Sequence, residues 1–218
     1  MKKLFIVANW KSYKTAQEAT DWLSEMKKLS FPEDKEVIVC ASFTSLPAMK
    51  TFIDTNNVSI KLGTEDVSPF GEGAYTGEIS AEQAAEFVTH AIVGHSERRN
   101  NFAETDQVVA EKVEMAFKFN ITPIFCVQGK DTPIPKGIEI VAYEPVFAIG
   151  TGHPDTPDDA EDVAKYIKAN HEVKYVLYGG SVTADDVHGF TQMPSVDGVL
   201  VGGASLDPHK FTQIIQNA

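Results

Sequence analysis

Short apolar runs alternate with longer amphipathic stretches along the whole chain, and this rhythm limits what the chain can fold into. KLFIVAN is followed by TAQEATDWLSEMKKL, EVIVCA by SLPAMKTFI, VSIKLGT by SAEQAAEFVT, and HAIVG by TDQVVAEKVEMAFKF. TPIFCV and IEIVAY continue the series, then DDAEDVAKYIKAN, KYVLYG, TADDVHGFTQ, DGVLVG and PHKFTQIIQ. The apolar runs are nearly continuous, as strands buried on both faces must be, so the pattern reads as repeated βα units with a parallel sheet. Eight candidate strands in 218 residues leave about 27 residues per unit, near the minimum for a closed (β/α)8 barrel, which typically has about 250. The expectation is an α/β fold in one domain spanning residues 1–218, with a doubly wound open sheet as the alternative.

Helix starts are marked by side chains that accept hydrogen bonds from the first turn: Ser80 with Gln83 three residues on, Thr156 before Pro157 and Asp159, and Thr183 before Ala184, Asp185 and Asp186. One unit is irregular. Between TPIFCVQ and IEIVAY lies GKDTPIPKG, where Pro133 and Pro135 rule out a regular helix, so the helix between strands five and six is expected to be missing. Its absence should uncover part of the barrel's outer face. Alternation along the sixth strand puts Ile138, Ile140 and Ala142 inward and Glu139 outward if Glu144 points to the barrel mouth.

A formal net charge of -12 argues against nucleic acid and anionic membrane as partners. An anionic substrate would need local positive potential from a lysine, helix N-termini or aligned backbone N–H groups. Cys40 and Cys126 each sit inside an apolar run and read as reduced core thiols. No apolar run approaches the length of a membrane span, and Asn9, Trp10 and Lys11 interrupt the first one too early for a secretory signal. The expected location is cytoplasmic.

Chemistry-bearing residues follow the strands, on the side where barrel enzymes carry their sites. Asn9 and Lys11 come directly after strand one, Lys11 being readable also as a solvated surface charge. His95, in GHSERR, follows strand four at the start of a polar segment; at a helix N-terminus it would be a neutral hydrogen-bond donor, the alternative being a structural role. Glu144, in YEPVFAIGTG, stands among apolar neighbours that strip water from it. That costs free energy unless the group is paired or its proton affinity is raised, so it reads as a base for a carbon-bound proton or as one half of an ion pair. The glycines of AIGTG could hinge a lid over such a site. YGGSV and VGGAS, after strands seven and eight, carry glycines that let backbone N–H groups approach a phosphate.

Taken in order, VANWK, GTEDVSPFGEGAYTGEIS, GHSERR, YEPVFAIGTG, YGGSV and DGVLVGGASL resemble the triosephosphate isomerase family over essentially the whole length. The resemblance implies a TIM barrel. It also implies proton transfer between dihydroxyacetone phosphate and glyceraldehyde 3-phosphate through an enediolate, with Glu144 as base and His95 polarising the carbonyl. Lys11 and Asn9 would stabilise the oxyanion, Glu97 would orient its neighbours, and Gly150, Ser181, Gly202 and Gly203 would hold the phosphate. It calls for no metal or cofactor, and it implies a homodimer in which residues 69–77 dock near Lys11 of a second copy. Phe147 stands where the family usually has tryptophan, and Glu65 where an uncharged amide is usual near the subunit interface. The rival readings are a non-catalytic barrel that binds a phosphorylated metabolite, and a different phosphate-handling barrel isomerase with its acid–base residues on other strands.

Overall fold

The computed structural model of the protein describes residues 2–145 and 155–218. Eight parallel strands close into a barrel in sequence order: β1 (Leu4–Asn9), β2 (Lys35–Ala41), β3 (Lys61–Thr64), β4 (His90–Val93), β5 (Thr122–Val127), β6 (Ile140–Tyr143), β7 (Tyr175–Tyr178) and β8 (Gly198–Val201). Pairing of β8 with β1 closes the circle, which excludes the open doubly wound sheet. Every strand expected from the apolar runs is present.

Period-two alternation sorts the strand residues into two apolar shells. Phe5, Val7, Ile38, Cys40, Ile124 and Cys126 belong to the shell filling the barrel. Their neighbours Ile6, Ala8, Val37, Val39, Phe125 and Val127 belong to the shell between barrel and helices. Both cysteines are free and buried, as expected for core thiols. The same alternation carried one step past the apolar residues aims Asn9 and Glu144 into the barrel, since Val7 and Ala142 face inward.

Helices α1 (Ala16–Met26), α2 (Leu46–Asn56), α3 (Ala81–Ala85), α4 (Ser96–Phe102), α5 (Asp106–Lys118), α6 (Pro157–Asn170), α7 (Val187–Thr191) and α8 (Pro208–Asn217) surround the strands. A reciprocal cap between Thr15 and Glu18 starts α1, which buries Ala19, Trp22, Leu23 and Met26, one stripe at helical spacing. Burying each large side chain of such a stripe contributes about 1.5–3 kcal/mol. Trp22 also donates its indole N–H to the Ser205 carbonyl (3.1 Å), tying the helical layer to a short 3-10 helix, Gly203–Leu206, that follows β8. The Ser80–Gln83 cap and the Thr156–Asp159 cap form as read from the sequence. The third differs: Thr183 begins a turn whose N–H is accepted by Asp186, and α7 starts only at Val187.

Between β5 and β6 the chain crosses without a helix, in agreement with the two prolines. The outer face is nonetheless covered, contrary to expectation: Phe125 is 1% exposed, and Val127 and Val141 are 0% exposed. The crossover does the covering itself. Ile134 packs onto the outer shell, Ile138 is buried in it, and the Gln128 N–H is accepted by Thr132 Oγ1 (3.1 Å), turning the segment back over the strands. Ile138 thus faces outward and not into the barrel, because β6 begins at Ile140 and the alternation does not extend before it. Glu139 is exposed and pairs with Lys174, as its outward assignment required.

Candidate active site

At the C-terminal ends of the strands lies a cavity of about 290 Å3 that brings together Asn9, Lys11, His95 and Glu144 with Gly179–Thr183 and Gly202–Ala204. Asn9 closes β1 and is buried. Lys11 is held in the left-handed backbone region (φ 54°), unusual for a side-chain-bearing residue. Its N–H is accepted by Asn9 Oδ1 (3.1 Å), which supports that conformation and fixes where the lysine leaves the strand. Lys11 Nζ donates to Glu97 Oε1 (2.5 Å). Glu97 therefore stands behind Lys11 and is part of a neighbouring cavity, not of the wall shared by His95 and Glu144.

His95 is the N-cap of α4: its Nδ1 accepts the Glu97 N–H (3.2 Å). A neutral imidazole has one donor and one acceptor nitrogen, so an accepting Nδ1 leaves the proton on Nε2. Nε2 lies 2.8 Å from Glu144 Oε1. The approach is off the hydrogen-bonding line, and Oε1 is a buried oxygen without a hydrogen-bond partner among the described residues. Glu144 is 0% exposed, and its other oxygen, Oε2, accepts the Ser96 N–H (2.9 Å). A buried carboxylate oxygen left unpaired costs about 1–3 kcal/mol, and this cost marks the oxygen as ready for a proton or a ligand donor.

Opposite these side chains, two glycine-bearing turns line the cavity. A Cβ at Gly180 would stand 2.1 Å from Tyr178 Oη, so only glycine lets the chain turn under that phenol. The second turn, Gly202–Ala204, leads into the N-terminus of the 3-10 helix. Lys11 Cε lies 3.6 Å from where a Gly202 Cβ would be, so the ammonium group serves the same wall. Lysine and helix terminus supply the local positive potential that an acidic protein needs to hold an anion.

The structure brings Asn9, Lys11, His95, Glu144, Ser181, Gly202 and Gly203 to one cavity. Gly150, Phe147 and the rest of 146–154 lie outside the described residues. Sequence reading missed Ser96, whose contribution is a backbone N–H and so carries no residue-type signal. It also missed Tyr143, Tyr178 and Asp155. Tyr143 OH donates to Asp155 Oδ2 (3.2 Å), and the Asp155 N–H is accepted by Tyr178 Oη (2.7 Å). Burial, then Asp155, push the Tyr143 phenol up to about 12.

A second cavity, of about 320 Å3, adjoins the first and is lined by Lys11, Phe43, Glu65, Glu97, Arg98 and Phe102, among others. Burial, then the nearby Glu97 carboxylate, push Glu65 up to about 8. Its Oε1 is buried without a hydrogen-bond partner among the described residues. Tyr13 and Phe102 are exposed, and in the 69–77 segment Phe70 and Tyr75 are exposed and stacked on each other with ring centres 4.2 Å apart.

The sequence model of the Triosephosphate isomerase family matches residues 4–137 and 136–218. The two stretches meet inside the helix-less crossover. Triosephosphate isomerase of Dictyoglomus turgidum is 38% identical over 251 aligned residues, covering 100% of both chains. That of Thermus thermophilus is 38% identical over 252, again covering 100% of both, and that of Solibacter usitatus 36% over 249, covering 99% of both. These alignments are longer than the chain's 218 residues and therefore carry gaps. By its whole-length similarity and its eight-stranded parallel barrel, the chain belongs to the triosephosphate isomerase family.

Proposed function

We propose that the protein interconverts dihydroxyacetone phosphate and D-glyceraldehyde 3-phosphate by proton transfer through an enediolate. The observation that carries this reading is the pair formed by Glu144 Oε1 and His95 Nε2, 2.8 Å apart at the floor of a cavity whose far wall suits a phosphate. A substrate whose phosphate lies against Ser181, Gly202 and Gly203, with Gly150 as a further contact, extends its carbons between these two side chains. Glu144 takes the proton from one carbon and returns it to the next. His95, donating from Nε2, polarises the carbonyl, gives its proton to the oxygen on which charge develops and takes up the proton of the neighbouring hydroxyl, so that the oxygen-bound proton moves as well as the carbon-bound one. Lys11 and Asn9 stabilise that oxyanion, and Lys11 also attracts the phosphate. Glu97 acts through others: its carboxylate orients Lys11 and its backbone N–H fixes the His95 tautomer. Glu144 Oε2 is held by the Ser96 N–H, which leaves Oε1, without a hydrogen-bond partner among the described residues, as the oxygen for the carbon-bound proton.

The working unit is a homodimer in the cytoplasm, each copy placing its 69–77 segment against the cavity beside Lys11 of the other. The exposed aromatic side chains of Tyr13, Phe70, Tyr75 and Phe102 support this assembly, since large apolar groups at a rim favour association. No helix among the described residues is long and apolar enough to cross a membrane.

A coupled assay with glyceraldehyde 3-phosphate on the wild type and on Glu144→Asp tests the reaction. Withdrawing the carboxylate by one methylene misplaces it by roughly 1 Å, for which about a 100-fold loss of turnover is expected. Affinity for inorganic phosphate should change little. Equal turnover by the two proteins would overturn the role of Glu144 and favour an isomerase with its acid–base residues elsewhere, whereas an inactive wild type that binds phosphate would favour the non-catalytic barrel.

A further inference from the structure

We propose that Asp155 is a positioning residue for the reaction at Glu144, tying together the two tyrosines that end β6 and β7 and thereby setting the carboxylate against the glycine-bearing wall. The inference rests on the isomerase reading above and adds a residue to it. Asp155 uses three atoms at once. Its Oδ2 accepts Tyr143 OH (3.2 Å), its Oδ1 accepts the Thr156 N–H (3.0 Å), and its own N–H is accepted by Tyr178 Oη (2.7 Å). Thr156 in turn caps α6, so one residue links the start of that helix to the ends of two adjacent strands.

Both tyrosines are next to working groups. Tyr143 immediately precedes Glu144, and Tyr178 immediately precedes Gly179 and Gly180. The two strand ends are already bonded, Gly179 N–H to Tyr143 carbonyl at 2.7 Å, and the Glu144 Cγ lies 3.1 Å from where a Gly179 Cβ would be. Tyr178 is fixed on its other side by stacking on Phe190, ring centres 3.9 Å apart. Tyr143 has no such stacked partner among the described residues; its ring meets Tyr178 tilted at 6.4 Å. The acceptor that Asp155 offers therefore decides where the Tyr143 ring sits, and the backbone of Tyr143 carries Glu144. With a phenol that keeps its proton at any working pH, the contact is a standing donor–acceptor pair.

The side-chain contact between Asp155 and Tyr143 is made at the end of β6 and bonds to neither Gly202 nor Gly203, so its loss should act on kcat more than on KM. The test measures kcat, KM and the melting temperature for the wild type, Asp155→Ala, Asp155→Asn, Tyr143→Phe and the Asp155→Ala/Tyr143→Phe double variant. Asp155→Ala and Tyr143→Phe are each expected to lower kcat about tenfold with KM within about twofold. The double variant should lose no more than either single one, because both remove the same contact. Asp155→Asn keeps one acceptor oxygen, which can serve Tyr143 OH while the bond from the Thr156 N–H is given up, and should recover part of the loss. Unchanged kcat in Asp155→Ala overturns the inference, as do losses that multiply in the double variant, or a rise in KM at constant kcat. A fall in kcat that tracks the melting temperature and is not recovered by asparagine also overturns it, because that is the mark of a merely structural residue. Wild-type protein with no triose phosphate turnover overturns the isomerase reading and this inference together, whereas active wild type with an unaffected Asp155→Ala overturns this inference alone.

Discussion

Replacing Glu65 by glutamine should stabilise the fold, by an amount that grows with pH. Glu65 follows the last residue of β3 and has Oε1 buried without a hydrogen-bond partner among the described residues. Burial, then Glu97, raise its proton affinity from the ordinary 4.5 to about 8. The folded protein therefore keeps a proton at neutral pH that the unfolded chain releases. The sign follows from linkage: below the unfolded value both states are protonated and nothing is lost, between 4.5 and about 8 each pH unit costs about 1.4 kcal/mol, and above about 8 the cost is constant. At pH 7 that amounts to about 3 kcal/mol, at pH 5 to about 1 and at pH 9 to nearly 5. These are upper figures, because residual solvent screens part of the effect.

Glutamine keeps the shape and a donor–acceptor head while removing the titration. At a conversion of about 2–4 °C per kcal/mol for a chain of this size, Glu65→Gln should melt about 6–12 °C higher at pH 7. The gap should narrow at pH 5 and widen at pH 9. The assay is thermal and urea denaturation of both proteins at pH 5, 7 and 9, at one protein concentration because association adds its own stabilisation. A gap of constant size across that range would refute the reasoning, since a gain unconnected with proton release has no reason to follow pH.

His90 titrates on the acid side. Burial lowers it to about 4 from the ordinary 6.5, so the folded protein leaves it neutral while the unfolded chain takes up a proton, and stability falls as pH drops from about 6.5 to about 4. His90→Gln should flatten that limb by up to about 3 kcal/mol, read from urea midpoints between pH 4 and 7. The proposed homodimer is checked by light scattering at micromolar concentration, where a mass near twice that of one chain is expected; a monomer would remove residues 69–77 from the account of the site.

The parts legible in the sequence are those where one residue type has one physical use. Strands buried on both faces must be nearly all apolar, so all eight are readable as runs, whereas Thr183–Asp186 resembles a cap yet closes only a turn, and α7 starts later than the pattern suggests. The cover over β5 and β6 was not legible because two isoleucines in PIPKGI are too few to make a periodic signal. Asn9, Lys11, His95 and Glu144, which the structure gathers at one cavity, stand out in the sequence because strand ends next to glycine or aromatic residues are informative places for polar groups. Ser96 could not, since its backbone N–H would serve equally well with another side chain, and Asp155 could not, since its partners are far away in sequence and declare themselves only in space.

That a barrel missing one helix keeps its site assembled follows from how each site residue is held. Asn9 and Glu144 are aimed by strand alternation, Lys11 by its N–H to Asn9, His95 by the Glu97 N–H, and Glu144 by the Ser96 N–H. None of these supports comes from the crossover between β5 and β6. The crossover need only exclude water from Phe125, Val127 and Val141, a task that depends on apolar area and not on helical backbone. Ile134 and Ile138 supply that area in fewer residues than a helix requires. Polar substitution there would therefore weaken the barrel as a whole before it disturbed the geometry between His95 and Glu144.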